Sequence, residues 1–249
     1  MSDEPAYQFP TELEMQRQYQ DCNIQLVYPS TPSNYFHVLR RQVSREFRKP
    51  LILPFSKSLL RHPMAKSGLK EMSGTSEFVK VYSETNSELV ANNKIKRVLF
   101  CSGQVYYALV QSRELNKLNN VAIIRIEEIT PFPWFKVKEE MEKYKNADIV
   151  WAQEEPINMG MWGFVEPRLK TCANEINYKN HLKRQGHTEH NQPKTDTILV
   201  CARPPNAAVA TGVKKNHVME EQQLISDSLF GEYRKVEEVI NGLARYESK

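Results

Sequence analysis

Two pairs of adjacent glutamates, Glu127-Glu128 and Glu154-Glu155, each close an apolar run: VAIIRIEE and DIVWAQEE. Neighbouring carboxylates can do acid/base work, because one holds a proton while the other stays charged. Four of them in one place could bind a divalent cation. Consecutive side chains on a strand point to opposite faces, so neither pair can address one substrate while the chain is extended. Joint action requires a turn, such as the one implied by Pro156 in WAQEEPINMGMW. Open parallel sheets bind ligands beyond the carboxyl ends of their strands, and both pairs lie at such ends. The competing reading is structural: the carboxylates cap nearby helix N-termini or pair with Arg125 and Arg168. It is favoured, because crowded like charges are costly without a cation.

Other candidates are weaker. CSGQVYY places Gly103 in a tight strand-to-helix turn, a geometry that can hold phosphate. Neither GxGxxG nor GxxxxGK[ST] is present, so a plain connection is the better account and mononucleotide binding there is not expected. Arg41, Arg45 and Arg48 fall on one face of VLRRQVSREFRK without interleaved aromatics, which favours a solvated or subunit-contacting face over nucleic acid. His181, His187 and His190 fit no common zinc spacing, and His37 and His62 are single histidines of the kind that is more often structural. No G-x-S-x-G or supported Cys/His pair points to nucleophilic hydrolysis.

The elements that position these residues follow from periodicity. TELEMQRQYQ (11–20) reads as a short helix and IQLVYP (24–29) as a strand. A helix follows, capped by Ser30 or Thr31 with Pro32 in its first turn and ended by Pro50. Its apolar stripe, Phe36, Leu39, Val43 and Phe47, is expected to face inward. LILPF (51–55) completes a β-α-β unit. Residues 62–95 are rich in Ser, Asn and Gly and read as a linker holding one short strand, FVKVY. From Lys96 strands and helices alternate: RVLFCSG, QVYYALVQSRELNKL, VAIIRIEE, WFKVKEEMEKYK, DIVWAQEE, GFVEPRLKTCANEI, TILVCAR and HVMEEQQLISDSLF. Such alternation of apolar strands with helices defines an α/β fold with a mostly parallel sheet flanked by helices. Residues 177–194 read as a polar loop, 204–216 as a small-residue loop that packs against something, and 231–249 as a surface helix.

The 249 residues carry a net charge of +4, 40% apolar and 26% charged side chains. That balance is globular and gives no electrostatic case for a nucleic-acid partner. Cys22, Cys101, Cys172 and Cys201 are far apart and are expected to be reduced thiols. No apolar run reaches the ~18 residues of a membrane span, and the acidic MSDEPAYQFP resembles no targeting segment.

Several stretches together resemble one family. QLVYPSTPSNYFHVLRRQVSREFRKPLILPFSKSLLRHPMAKS is similar to the end of the pyrimidine-binding domain of the thiamine-diphosphate-dependent decarboxylase component of 2-oxoglutarate dehydrogenase, in the transketolase-like superfamily. KRVLFCSGQVYYAL, VAIIRIEEITPFPW, YKNADIVWAQEEPINMGMWGFVEPRL and ARPPNAAVATGVKKNHVMEEQQLI resemble its transketolase-type C-terminal domain, in the same order. The resemblance divides the chain into an incomplete pyrimidine-binding domain (1–61), a linker (62–95) and a C-terminal-like domain with an extra helix (96–249). VCARPP in place of Y-A-G-R, the polar 177–194 stretch and the tail after Phe230 depart from the pattern.

For the complete enzyme, the resemblance implies thiamine diphosphate and magnesium, decarboxylation of 2-oxoglutarate, and transfer of the succinyl group to a lipoyl arm, with the cofactor as electron sink. It implies a homodimer, partnership with a lipoyl-bearing succinyltransferase and with dihydrolipoamide dehydrogenase, and a mitochondrial matrix location. The family's GDG…N signature and catalytic histidine are not among these stretches, so the chain alone is expected to bind no cofactor and to be inactive. Arg40, Arg41, Glu154 and Glu155 are expected to be regulatory or interface positions, with no catalytic, cofactor-binding or metal-ligating residue assigned. Two alternatives stand beside this reading: the related 2-oxoadipate dehydrogenase, and a non-catalytic module that docks on the complex.

Overall fold

The computed structural model describes residues 6–184 and 198–231, with side chains described up to Asn177 in the helix that ends at Arg184. It begins with helix α1 (Glu12–Asp21), strand β1 (Gln25–Val27), helix α2 (Pro32–Ser44) and strand β2 (Leu51–Ile52). Both helices start where side-chain oxygens replace missing backbone acceptors. Thr11 and Glu14 form a reciprocal capping box, and Thr31 Oγ1 accepts from the Asn34 N–H ahead of Pro32. Strand β1 pairs in parallel with β2, as the β-α-β reading requires.

The remaining elements are β3 (Val81–Tyr82), β4 (Arg97–Cys101), α3 (Val105–Leu115), β5 (Val121–Ile126), β6 (Glu128–Thr130), α4 (Trp134–Lys143), β7 (Asp148–Pro156), α5 (Trp162–Arg184), β8 (Leu199–Arg203) and α6 (Lys214–Phe230). One sheet has the order β3-β5-β4-β7-β8, with β5, β4, β7 and β8 parallel and β3 antiparallel at the edge. Side chains alternate along β4. Val98 and Phe100 join the core beneath α4 and α5, whereas Leu99 and Cys101 join the core beneath α3 and α6. Both faces are therefore covered by helices, which is why these strands are apolar throughout.

The second sheet, β2-β1-β6, joins the two halves. Strands β5 and β6 are one continuous run that changes sheets at Glu127, and β6 pairs antiparallel with β1. Residues between the halves are also anchored. The buried Glu84 carboxylate accepts from Arg113 at 2.5 Å and from the Ile123 N–H at 2.7 Å.

Four expectations change. Helix α2 stops at Ser44, well before Pro50, so Phe47 falls outside it. Its orientation is also reversed: Phe36, Leu39 and Val43 are exposed, while Ser33, Asn34, His37 and Val38 are buried and Arg41 turns inward. The cause lies beneath the helix, where Glu127 and Glu128 are fully buried and require polar donors. The 204–216 stretch, expected to pack, is largely exposed, with Val209 at 61% and Val213 at 57%. Helix α5 runs through Arg184, beyond the expected GFVEPRLKTCANEI, and contains Pro167 in its interior. The His181 side chain, His187, His190 and the 232–249 tail lie outside the described residues. All four cysteines are buried thiols.

Candidate functional site

Strand β4 leads through α3 to β5 on one side, and the chain then crosses back through α4 to β7 on the other. The carboxyl ends of β4 and β7 are thus the topological switch point, where successive connections leave on opposite faces and a crevice opens. A cavity of about 360 Å³ lies there. Gln104 and Tyr107 come from the start of α3, Glu154 from the end of β7, Arg203 from the end of β8, and His217 and Glu221 from α6. Ser58 and His62 enter from the N-terminal half.

Glu154 is tied to Gln104, whose Nε2 donates to the two carboxylate oxygens at 2.8 and 2.6 Å. The Gln104 Oε1 in turn accepts from Ser56 and, at 2.5 Å, from Ser58. Burial raises the Glu154 pKa, opposed by the Gln104 hydrogen bond and reinforced by the charge of Glu155. Arg203 is committed to the structure: Nε donates to the Glu154 carbonyl at 2.6 Å, Nη1 to Glu220 at 3.0 Å, and Nη2 to the Val209 carbonyl. The His62 ring stacks on Tyr107 with centroids 4.5 Å apart. Glu155 is half-buried and approaches Gly160 rather than the Glu154–Gln104 contact. The strand alternation thus separates the two carboxylates.

The stretch around them is organised by Gln153. Its Oε1 accepts from Trp151 Nε1 and from the Trp162 N–H, both at 3.0 Å, while Nε2 donates to the Pro156 and Met159 carbonyls. A buried amide thereby holds both ends of the turn, and Gly160 supplies the positive φ of 67° that closes it. Gln153 and Gln104 were not singled out by the sequence, because an amide carries no motif and its role depends on what surrounds it.

The other glutamate pair is structural. Glu127 accepts from the Ser30 N–H and Oγ and from Asn34 Nδ2, at the start of α2, and Arg125 donates to the same Ser30 Oγ. Glu128 accepts from Tyr19 and Arg41 at 2.5 and 2.6 Å. Arg41 also stacks over Phe78, while its neighbour Arg40 is exposed, donates to the Ser76 carbonyl and lies over Phe36. His37 is buried with Nε2 against the Glu71 carbonyl.

The strand-to-helix turn at Gly103, with φ of 73°, is filled: a Cβ there would stand 2.2 Å from the Tyr28 ring, which occupies the space a phosphate would need. Among the described residues, no group of three or more His, Cys, Asp or Glu side chains is arranged to hold a metal ion. No described helix is long and apolar enough to cross a membrane.

A β-α-β piece joined to a helix-flanked, mostly parallel sheet makes this an α/β protein, with the crevice at the carboxyl ends of its central strands. Residues 10–63 match the model of the transketolase pyrimidine-binding domain, and residues 66–229 match that of the 2-oxoglutarate dehydrogenase C-terminal region. The chain belongs to the 2-oxoglutarate dehydrogenase C-terminal family. It is 40% identical over 232 residues to the mitochondrial 2-oxoglutarate dehydrogenase of Schizosaccharomyces pombe, covering 92% of this chain and 21% of the relative. It is 42% identical over 228 residues to that of Saccharomyces cerevisiae, covering 91% and 21%. A probable 2-oxoadipate dehydrogenase complex component E1 homologue of Dictyostelium discoideum is 43% identical over 210 residues, covering 84% and 21%. The chain therefore spans about a fifth of the length of these relatives.

Proposed function

We propose that this chain supplies the C-terminal part of a thiamine-diphosphate-dependent 2-oxoglutarate dehydrogenase subunit and has no decarboxylase activity alone. The observation that carries this reading is the match to the family's C-terminal model over residues 66–229, directly after a pyrimidine-domain match over 10–63. In this reading residues 1–61 complete a pyrimidine-binding domain, 62–95 connect, and 96–249 form the C-terminal domain. Thiamine diphosphate and magnesium are held by other parts of the complete enzyme, where the cofactor serves as the electron sink of decarboxylation. The chain's own contribution is positional, through dimerisation and assembly with the succinyltransferase and dihydrolipoamide dehydrogenase, inside the mitochondrial matrix.

Arg40 and Glu155 are the exposed or half-exposed members of their pairs and are proposed as regulatory or interface positions. Arg41 joins the two halves through Glu128, and Glu154 fixes Gln104, which accepts from Ser56 and Ser58 of the N-terminal half. A 2-oxoadipate substrate is the second reading, supported by the 43% identical relative. The test is complementation. The Saccharomyces cerevisiae relative, cut so that it lacks the stretch matched here, is combined with this chain, thiamine diphosphate and magnesium, and carbon dioxide release is followed. Release from 2-oxoglutarate only in the combination is expected. Release by the 249-residue chain alone, or none in a stable combination, overturns the reading, and preference for 2-oxoadipate selects the alternative.

A further inference from the structure

The crevice at the carboxyl ends of β4 and β7 contains a carboxylate that no cation of the chain satisfies. Arg203 reaches only the backbone carbonyl of Glu154 and pairs instead with Glu220, at 3.0 Å. Among the described residues no ion pair reaches the Glu154 carboxylate, whose hydrogen-bond donor is the neutral Gln104 Nε2. A carboxylate offers about four acceptor sites, so much of its capacity stays open. The side chain is half-buried, and Glu155 and Glu221 add like charge rather than relief. Burying a charge without an opposite partner is costly, and an incoming cation removes that cost.

The rest of the cavity selects the kind of cation. Val105, Ala108, Leu224 and Ile225 give it an apolar wall, and His62, stacked on Tyr107, closes it from the N-terminal half. Its volume of about 360 Å³ lies in the range of small-molecule sites. A hydrated metal ion gains nothing from such a wall, and among the described residues no three ligating side chains converge on one. An ammonium group on an aliphatic chain matches both parts, because its head meets the carboxylate and its chain lies along the wall.

We propose that this crevice binds a small primary aliphatic amine, with its ammonium group on the Glu154 carboxylate and its alkyl chain against Val105, Ala108, Leu224 and Ile225. The site goes beyond the function proposed above and does not depend on it. Gln104 ties Glu154 to Ser56 and Ser58, and His62 comes from the same half, so an occupant touches both halves of the chain and stabilises their junction. A lysyl side chain of another polypeptide carries the same chemistry, and the experiment separates the two sources.

The test titrates the 249-residue chain with n-pentylamine, with the neutral isostere 1-pentanol and with Nα-acetyl-lysinamide, by calorimetry and by methyl-resolved NMR. Pentylamine is expected to bind at one site, to raise the melting temperature, and to show NOEs from its methylenes to the Val105 and Leu224 methyl groups. Loss of the charge pair, either as 1-pentanol or in the Glu154→Gln variant, should weaken binding roughly tenfold or more. Glutamine keeps an acceptor for Gln104. Ala108→Phe, which fills the cavity without touching the carboxylate, should abolish binding and decides the matter if the glutamine variant does not fold. The proposal is overturned by absence of binding, by unchanged affinity in either folded variant, or by 1-pentanol binding as tightly as the amine, which would make the crevice an apolar slot. Tighter binding of Nα-acetyl-lysinamide than of pentylamine would also overturn it and give the crevice to a partner's lysine. Carbon dioxide release in the complementation assay is read separately, so either reading can fail while the other stands.

Discussion

The Glu127 carboxylate accepts from the Ser30 backbone N–H at 2.7 Å and from its hydroxyl at 2.5 Å, ninety-seven residues apart in sequence. This contact lies where one strand run leaves the five-stranded sheet for the small one, so it fastens the N-terminal β-α-β piece to the larger domain. Asn34 Nδ2 adds a third donor at 3.0 Å. Replacing Glu127 by alanine leaves these donors buried without an acceptor, a loss of about 3 kcal/mol. Glutamine keeps an acceptor oxygen and should cost roughly half as much by the same reasoning. Urea unfolding of both variants checks the order, and an alanine variant as stable as the parent would contradict the fastening role.

Arg40 and Arg41 are neighbours with opposite surroundings. Arg41 pairs at 2.6 Å with Glu128, whose side chain is 1% exposed, whereas Arg40 is at the surface. Arg41→Met is expected to destabilise the fold by about 3 kcal/mol, because Glu128 keeps Tyr19 but loses its closest cation. Arg40→Ala should change stability by less than about 0.5 kcal/mol. Denaturation midpoints of the two variants should therefore separate clearly.

These contacts explain what the sequence could and could not convey. The large sheet was legible, because each strand is a short run apolar on both faces and each helix begins at a turn or proline. Helix α2 was legible as a helix but not in its rotation. Phe36, Leu39 and Val43 make the stronger periodic signal, and only the three-dimensional placement of Glu127 and Glu128 beneath Asn34 and Arg41 reverses it. Glu154 and Glu155 do close β7, next to its last residue Pro156, but of the other pair Glu127 follows β5 and Glu128 opens β6, because the chain changes sheets there. Gln104 and Gln153, which hold the crevice together, carry no pattern that a linear reading can find.

Glu154 gives the crevice a pH dependence of known sign. Burial raises its pKa above the ordinary value of 4.5, so the folded state holds its proton more tightly than the unfolded chain does. Stability is then greatest below the unfolded value and falls as pH rises through the interval up to the raised one. Glu154→Gln removes that ionisation while retaining an acceptor for Gln104. The difference in unfolding free energy between parent and variant, measured from pH 4 upward, should shift in favour of the variant as pH increases. A difference that is flat, or that moves the other way, would show that the carboxylate is not held above its ordinary pKa.

The thiols should be inert while the protein is folded. Burial pushes Cys101 and Cys201 up to about 12, and Cys172 is raised further in the same direction. Since the thiolate is the reactive form, Ellman's reagent at neutral pH should label these three only after denaturant is added. Rapid labelling of any of them in the native protein would place that thiol nearer the surface than the fold allows.

Gly103 and Gly163 both open helices, and they should respond oppositely to alanine. At Gly103 the backbone has φ of 73° and the added methyl would stand 2.2 to 2.6 Å from atoms of the Tyr28 ring. Tyr28 is itself held by its backbone N–H to the Glu127 carbonyl at 2.8 Å, so the ring cannot retreat without loosening the junction between the two sheets. Gly103→Ala therefore combines a strained conformation with overpacking and is expected to cost about 3 kcal/mol. At Gly163 nothing lies within 4 Å of the added carbon, and alanine there should be neutral or stabilising by up to about 1 kcal/mol. Thermal or urea unfolding of the two variants side by side reads the difference. A tolerated Gly103→Ala would mean that Tyr28 can leave the turn, and the strand-to-helix crevice would then have room for an anion.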